Sequence, residues 1–423
     1  MAEEKTDRRG SEAVYLEELS MTQPKKIDVT VERRKSLRVR YYYGVMFLIT
    51  NFVAWFIRDY IQRVIPENHC KPSLPFLCYK VTIVSCESIC LGGSKCHFSG
   101  SILRTCGIGG HDCIQTTGVL RISFGCFMFF FMMFLTTMKT SKLQEIRNVW
   151  HSGWWPAKCI LLVISMTFPF FISSEYIHFY GEIARIGAGI FLALQLISVI
   201  QFIAWWNNYW MPDQHAKQSC SLGLFMSTIF YVASVCGVVA LYILYVPRSS
   251  CILNIFFVSW TAVLLFVMML ISLHSKVNRG LLSSGIMASY IVFLCWSAIR
   301  SEPAGDKCSP KKQEPRHHDW SFFIGICAVV MATFSTGIDS ESFQFRKDEI
   351  QEEDDIPYKY GFFHLVFSLG AMYFAMLFIN WNLNSSTRKW SIDVGWASTW
   401  VKIINEWFAA TIYSECSHTL CTY

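Results

Sequence analysis

The sequence predicts an all-α polytopic membrane protein with about ten transmembrane helices. Two observations carry that prediction. Of the 423 residues, 53% are apolar, 16% aromatic and only 16% charged, where an ordinary soluble domain carries about 25% charged residues. Apolar stretches of the length needed to cross a bilayer as a helix, about 20 residues, recur near 41–59, 118–138, 156–175, 179–206, 220–246, 252–272, 281–299, 320–338 and 359–380, with a weaker tenth near 396–413. Lipid cannot satisfy exposed backbone amides, so each stretch is expected to be helical, and the apolar-out, polar-in alternation of a barrel strand is absent.

Between the spans the chain divides into a polar tail (1–40), a transmembrane domain (41–413) with a Cys-rich loop (60–117) and an acidic loop (339–357), and a short polar tail (414–423). The first 40 residues hold ten Lys or Arg and no apolar run before Tyr41, so no signal peptide is expected and the first span serves as its own insertion signal. Placing this tail in the cytosol puts 18 basic residues in cytosolic segments against 13 opposite, the orientation favoured by the positive-inside rule. Of 17 cysteines, Cys70, Cys78, Cys86, Cys90, Cys96, Cys106 and Cys113 fall in the 60–117 loop, which this orientation places in an oxidising compartment suited to disulfides. His69, His97 and His111 are interspersed there, but the spacing matches no standard zinc pattern. His317, His318 and Asp319 read as part of a solvated loop, and the sequon at Asn384 stands close after the ninth span, where glycan transfer is disfavoured.

Charged and amide side chains inside apolar spans are expensive and need a reason. In the 28-residue stretch FYGEIARIGAGIFLALQLISVIQFIAWW, Glu182 and Arg185 stand three apart, on one helix face, where they can pair and bond together to a neighbouring helix. Gly181, Ala184, Ala188, Gly189 and Ala193 surround them and permit close approach of another backbone. Two readings stay open: a buried ion pair fixing helix packing near the outer headgroup level, and a lipid-headgroup or ion site. Gln195 and Gln201 fall on different faces, which suggests separate interhelical hydrogen bonds. Arg121 can snorkel outward. Trp154, Trp155, Lys158, Trp205 and Trp206 suit the headgroup zone as interfacial anchors, and Asp393, Lys402 and Glu406 lie on an aromatic-rich segment that reads as interfacial.

No G-x-S-x-G, H-E-x-x-H or glycine-rich phosphate loop is present, so no catalytic residues, cofactor or metal are expected. Pro169 is the one clear proline inside a span, without the matched counterpart that the inverted repeats of a secondary transporter would supply.

Longer words are more specific. The runs WHSGWWPAK (150–158), FYGEIARIGAGIFLALQLISVIQFIAWWNNYW (179–210), SYIVFLCWSAIRSEP (289–303), DDIPYKYGFFHLVFSLGAMYFAMLFINW (354–381) and RKWSIDVGWASTWVKIINEWFAATIY (388–413) resemble the serine incorporator family. The resemblance implies ten helices in two helical subdomains joined by a long diagonal helix, to which residues 179–206 correspond. It implies a non-enzymatic role in serine incorporation into phosphatidylserine and sphingolipids, with binding of lipids and movement of phospholipids between leaflets. The implied partners are membrane phospholipids and sphingolipids, lipid-biosynthetic enzymes and, as an open alternative, a second copy of the chain; no nucleic acid is expected. The implied location is the endomembrane system or the plasma membrane. A secondary transporter of a small polar solute such as serine is the alternative, and an integral membrane enzyme the weakest reading. Residues 68–104 look inserted relative to the family, and SECSHTLCTY replaces its apolar ending, so the tenth span is expected to be truncated.

Overall fold

The structure, a computed structural model, describes residues 31–60, 110–210, 217–246, 251–273, 281–303, 356–383 and 393–419, with scattered helical positions between 326 and 336. These residues are helical, with no sheet among them. In chain order the helices are α1 (31–60), α2 (Gly110–Thr137), α3 (Ile146–Ser152), α4 (Trp155–Thr167) continued by the 3-10 turn Phe168–Phe171, α5 (Ser174–Trp210), α6 (Lys217–Tyr245), α7 (Ile252–Leu273), α8 (Leu281–Arg300), α9 (Tyr360–Phe378) and α10 (Trp396–Thr419). Among the described residues six of these (α2 and α5 to α9) are long and apolar enough to cross a membrane, and the pair α3 and α4, bent by 71°, raises the number to seven.

Packing divides the helices into two subdomains. Phe47 of α1, Phe130 of α2, Phe191 of α5 and Phe367 and Phe374 of α9 lie in one buried cluster. Met268 of α7, Met287 and Ile291 of α8 and Ala409 and Tyr413 of α10 lie in a second, beside a third that joins α6, α7 and α8 through Leu241, Phe257 and Val292. Helix α5 belongs to both halves: residues through Leu194 pack on the first cluster, and Leu196, Ile200 and Ile203 are buried in the second. Its 37 residues span about 55 Å at 1.5 Å per residue, far more than a hydrocarbon core of about 30 Å, so it must lie obliquely.

One boundary differs from the sequence reading. The third span breaks at Phe168–Phe171, because Pro169 lacks the N–H that would continue the α-helical ladder. At the other end of the chain α10 runs 24 residues to Thr419 and is not among the helices long and apolar enough to cross a membrane. Helix continuation needs only backbone bonds and a buried face; Ala409, Ala410 and Tyr413 supply that face, and Ser414 donates its hydroxyl to the Ala410 carbonyl at 2.8 Å. What α10 lacks is the hydropathy of the other spans. Cys113 falls inside α2, whereas Cys70, Cys78, Cys86, Cys90, Cys96, Cys106, Asn384, the 304–319 stretch and residues 339–355 lie outside the described residues.

Two ends of the bundle are needed below. At the proximal end α1 begins, and Ser36 donates to Asn148 at 3.0 Å; at the distal end α1 finishes, and Arg58 donates to the Phe378 carbonyl at 3.3 Å.

Candidate functional site

Near the distal end, Arg185 and Glu182 form the expected ion pair at 2.8 Å, and the second guanidinium nitrogen of Arg185 donates to the Trp381 carbonyl at 3.1 Å. That carbonyl is presented by a left-handed turn just past α9, with Trp381 at φ 59°. The side chains of Arg185 and Glu182 are 39% and 49% exposed, so the pair sits on the surface beside α9 and is not enclosed as the packing reading required. The small residues around it differ in use. A side chain at Gly181 would meet Leu383 at 2.6 Å and one at Gly187 would meet Met372 at 2.1 Å, but Gly189 faces open space. Ala184 and Ala188 are fully buried.

Further along α5 the helix passes from one packing cluster to the other, and polar atoms collect at the hand-over. The carbonyl oxygen of Gln195, the hydroxyl of Ser198, the indole nitrogen of Trp206 and the amide oxygen of Asn207 are all buried without a hydrogen-bond partner. An interhelical bond had been expected for Gln195; its flanking residues Leu194 and Leu196 instead fill apolar clusters on either side. Trp205 is 59% exposed, whereas Trp206 is only partly so.

The proximal end holds a polar network that sequence reasoning missed. His151 of α3 stacks on Tyr360 with centroids 3.8 Å apart, its Nδ1 lies 3.1 Å from Nε2 of His364, and its Nε2 lies 3.0 Å from the Tyr358 hydroxyl. Tyr358 donates onward to the Ser36 carbonyl at 3.2 Å, which uses its single proton. His151 Nε2 must then be the donor to Tyr358, its Nδ1 accepts from His364, and His364 Nδ1 remains a bare lone pair, which agrees with its having no partner.

Lys158 was expected at the headgroup surface and is instead fully buried. It donates to the His151 carbonyl at 2.7 Å and lies over the rings of Trp155 at 4.4 Å, Tyr43 at 5.2 Å and Trp150 at 5.7 Å. A ring of aromatic faces stabilises a desolvated ammonium, and the break between α3 and α4 turns this face inward. Trp155 is accordingly part of that cage, while Trp154 is 65% exposed. Beyond the network, Glu145 accepts the backbone N–H groups of Ser141 and Lys142, each at 3.0 Å, and these hold its carboxyl below the usual carboxylate range.

Arg121 also departs from its snorkelling expectation. It is buried and donates to the carbonyls of Pro169 and, at 2.8 Å, Ile172, with Ser174 at 3.3 Å. At the α4–α5 corner the Pro169 carbonyl accepts only the Ile172 N–H of the 3-10 turn, and the guanidinium fork collects its free lone pair together with the Ile172 carbonyl. In the second subdomain Lys402 pairs with Asp393 at 2.6 Å, and Glu406, fully buried, meets Thr261 at 2.7 Å. No group of three or more His, Cys, Asp or Glu among the described residues is placed to hold a metal ion.

Apolar helices of spanning length, packed as two subdomains on one oblique helix, define a polytopic integral membrane protein. The serine incorporator family model matches residues 25–349 and 335–416, and the chain belongs to that family. It is 24% identical to a probable serine incorporator of Monosiga brevicollis, over 89% of this chain and 88% of the relative. It is 24% identical to serine incorporator 3 of Bos taurus (71% and 77% covered) and 25% identical to serine incorporator 5 of Macaca fascicularis (72% and 86% covered).

Proposed function

We propose that this chain is a non-enzymatic lipid-handling protein that binds phospholipids or sphingolipids and lets their headgroups pass between leaflets along α5. The observation that carries the reading is the series of unpartnered buried polar atoms on Gln195, Ser198, Trp206 and Asn207. Each leaves about 1–3 kcal/mol unrecovered when buried without a bond, so a polar headgroup or its water gains by moving along them while acyl chains stay in the hydrocarbon. The half-exposed Glu182–Arg185 pair stands at the distal end of the series as a zwitterionic docking point matched to a headgroup bearing both charges. With residues 1–40 in the cytosol, this pair faces the lumen or exterior, and Lys158 and His151 lie on the cytosolic side. Serine incorporation, which names the relatives, then reflects supply of lipid to biosynthetic enzymes. The test is reconstitution into liposomes with fluorescent phospholipid and a leaflet-specific quencher: quenching beyond the outer-leaflet fraction without any energy source supports the reading, and quenching limited to that fraction contradicts it.

A further inference from the structure

The second subdomain contains a carboxyl group that lipid movement along α5 does not use. Glu406 and Thr261 are both fully buried. Glu406 lies ten residues into α10 and Thr261 nine residues into α7, about 15 and 14 Å from the starts of their helices. Thr261 is thus near the middle of the candidate span Ile252–Ser272, at a level where a carboxylate lacking a cation is strongly disfavoured.

Among the described residues no cation is placed to neutralise it. Lys402, one turn earlier on α10, is committed to Asp393 at 2.6 Å and to the Ser301 hydroxyl. Arg300 is exposed and stacks on Trp296. On α7 the residue facing the carboxyl is Thr261 itself; from α8 the titratable groups on this side are the Cys295 thiol and, past the helix end, Glu302. Helix α5 contributes apolar Leu196, Ile200 and Ile203 to the neighbouring cluster. The surroundings are therefore acidic or neutral apart from the already paired lysine.

The hydrogen bonds accommodate a neutral carboxyl. Thr261 Oγ lies 2.8 Å from the Phe257 carbonyl and 2.7 Å from Glu406 Oε1. A hydroxyl has one proton to give, and a carbonyl can only accept. When Thr261 gives its one proton to Phe257, its oxygen is left to accept from a proton on Glu406 Oε1. A neutral acid also explains why Glu406 Oε2 is buried without a partner, because an uncharged carbonyl oxygen loses far less on burial than a carboxylate.

We propose that Glu406 carries its proton at neutral pH and forms with Thr261 a membrane-embedded proton-binding site between α7 and α10, reactive towards apolar carbodiimides. In that reaction the carboxyl O–H adds across one C=N bond of the reagent: a C–O bond forms, the proton passes to nitrogen, and the acyl group then shifts from oxygen to nitrogen with no leaving group. The experiment uses the full chain in liposomes, as wild type and Glu406→Gln, a replacement with the shape of the neutral acid. The wild-type minus variant infrared spectrum at neutral pH should contain the carbonyl stretch of a protonated carboxyl, and mass spectrometry should locate a dicyclohexylcarbodiimide adduct at Glu406 whose formation slows several-fold as pH is raised. A carboxylate band in place of the acid band would overturn the proposal. So would suppression of the adduct by sodium at fixed pH, which would make the occupant a cation.

Discussion

His364 Nε2 stands 3.1 Å from His151 Nδ1, with both rings fully buried. The order of protons through His364, His151 and Tyr358 to the Ser36 carbonyl ties α9, α3 and α1 together at the proximal end, and it works only with neutral rings. Replacing His364 by Phe keeps the volume but leaves His151 Nδ1 unpaired, at a loss of roughly 1–3 kcal/mol. His364→Gln, whose amide can still donate, should lose less. Thermal unfolding in detergent measures both; equal, unshifted midpoints would show that the chain of bonds is not made.

Arg121 should tolerate no substitution that keeps only its charge. Arg121→Lys offers a point charge where a fork now meets Ile172, Pro169 and Ser174, and hydrogen bonds to charged groups contribute about 1.5–3 kcal/mol each. A lower yield of folded protein is expected from Lys as well as from Leu. Wild-type yield from the lysine variant would contradict this.

For the distal pair, exposure decides the magnitude. A half-exposed ion pair contributes about 0–1 kcal/mol, so Glu182→Gln should leave the unfolding midpoint nearly unchanged, while Arg185→Leu, which also strips the donor from the Trp381 carbonyl, should lower it more. Both should slow lipid exchange if the pair docks a headgroup. A large destabilisation by Glu182→Gln would restore the buried-pair reading.

Helix α2 meets the α4 backbone at Gly125, where an added Cβ would lie 2.6 Å from the Ser165 carbonyl oxygen and 2.8 Å from Met166 Cα. Backbone cannot rotate away, so Gly125→Ala should cost about 1–3 kcal/mol by forcing the helices apart. Gly189→Ala, into open space, should instead stabilise α5 by about 0.5–1 kcal/mol. Comparing the two unfolding midpoints checks the helix contact directly.

The Glu145 turn gives the pH dependence. Its carboxyl is held below the ordinary range by the amides of Ser141 and Lys142, so its contribution is present above the unfolded value of about 4.3 and is lost only as pH falls through the lower folded value. Hydrogen exchange at those two amides should stay slow near neutral pH and speed up in Glu145→Ala. No change in exchange would remove the turn from the account.

Spans and the oblique helix were legible because bilayer thickness imposes a length on apolar runs, and α5 exceeds it. Polar side chains were less legible. Lys158 and Arg121 read as snorkelling residues because a sequence shows their distance from a span's end and not the direction of their partners. The carbonyls Arg121 bonds exist only once Pro169 has broken the helix, and the aromatic cage of Lys158 is assembled from α1, α3 and α4. His151 and His364 are separated by 213 positions, so neither hinted at the other, although a histidine seven residues before a span-embedded lysine was the available signal. Glu406 was read as interfacial because tryptophans flank it; its burial follows from the packing of α10 against α7 and α8.

The central claim, that lipid headgroups move along the unpartnered polar atoms of α5, is tested most directly by leaflet-specific quenching of fluorescent phospholipid in liposomes containing either wild type or a Gln195→Leu, Ser198→Ala double variant. Removing two unpaired polar groups should leave the unfolding midpoint equal or higher while slowing energy-independent exchange several-fold. Equal exchange rates in wild type and the double variant, or a wild-type rate no faster than protein-free liposomes, would contradict the account.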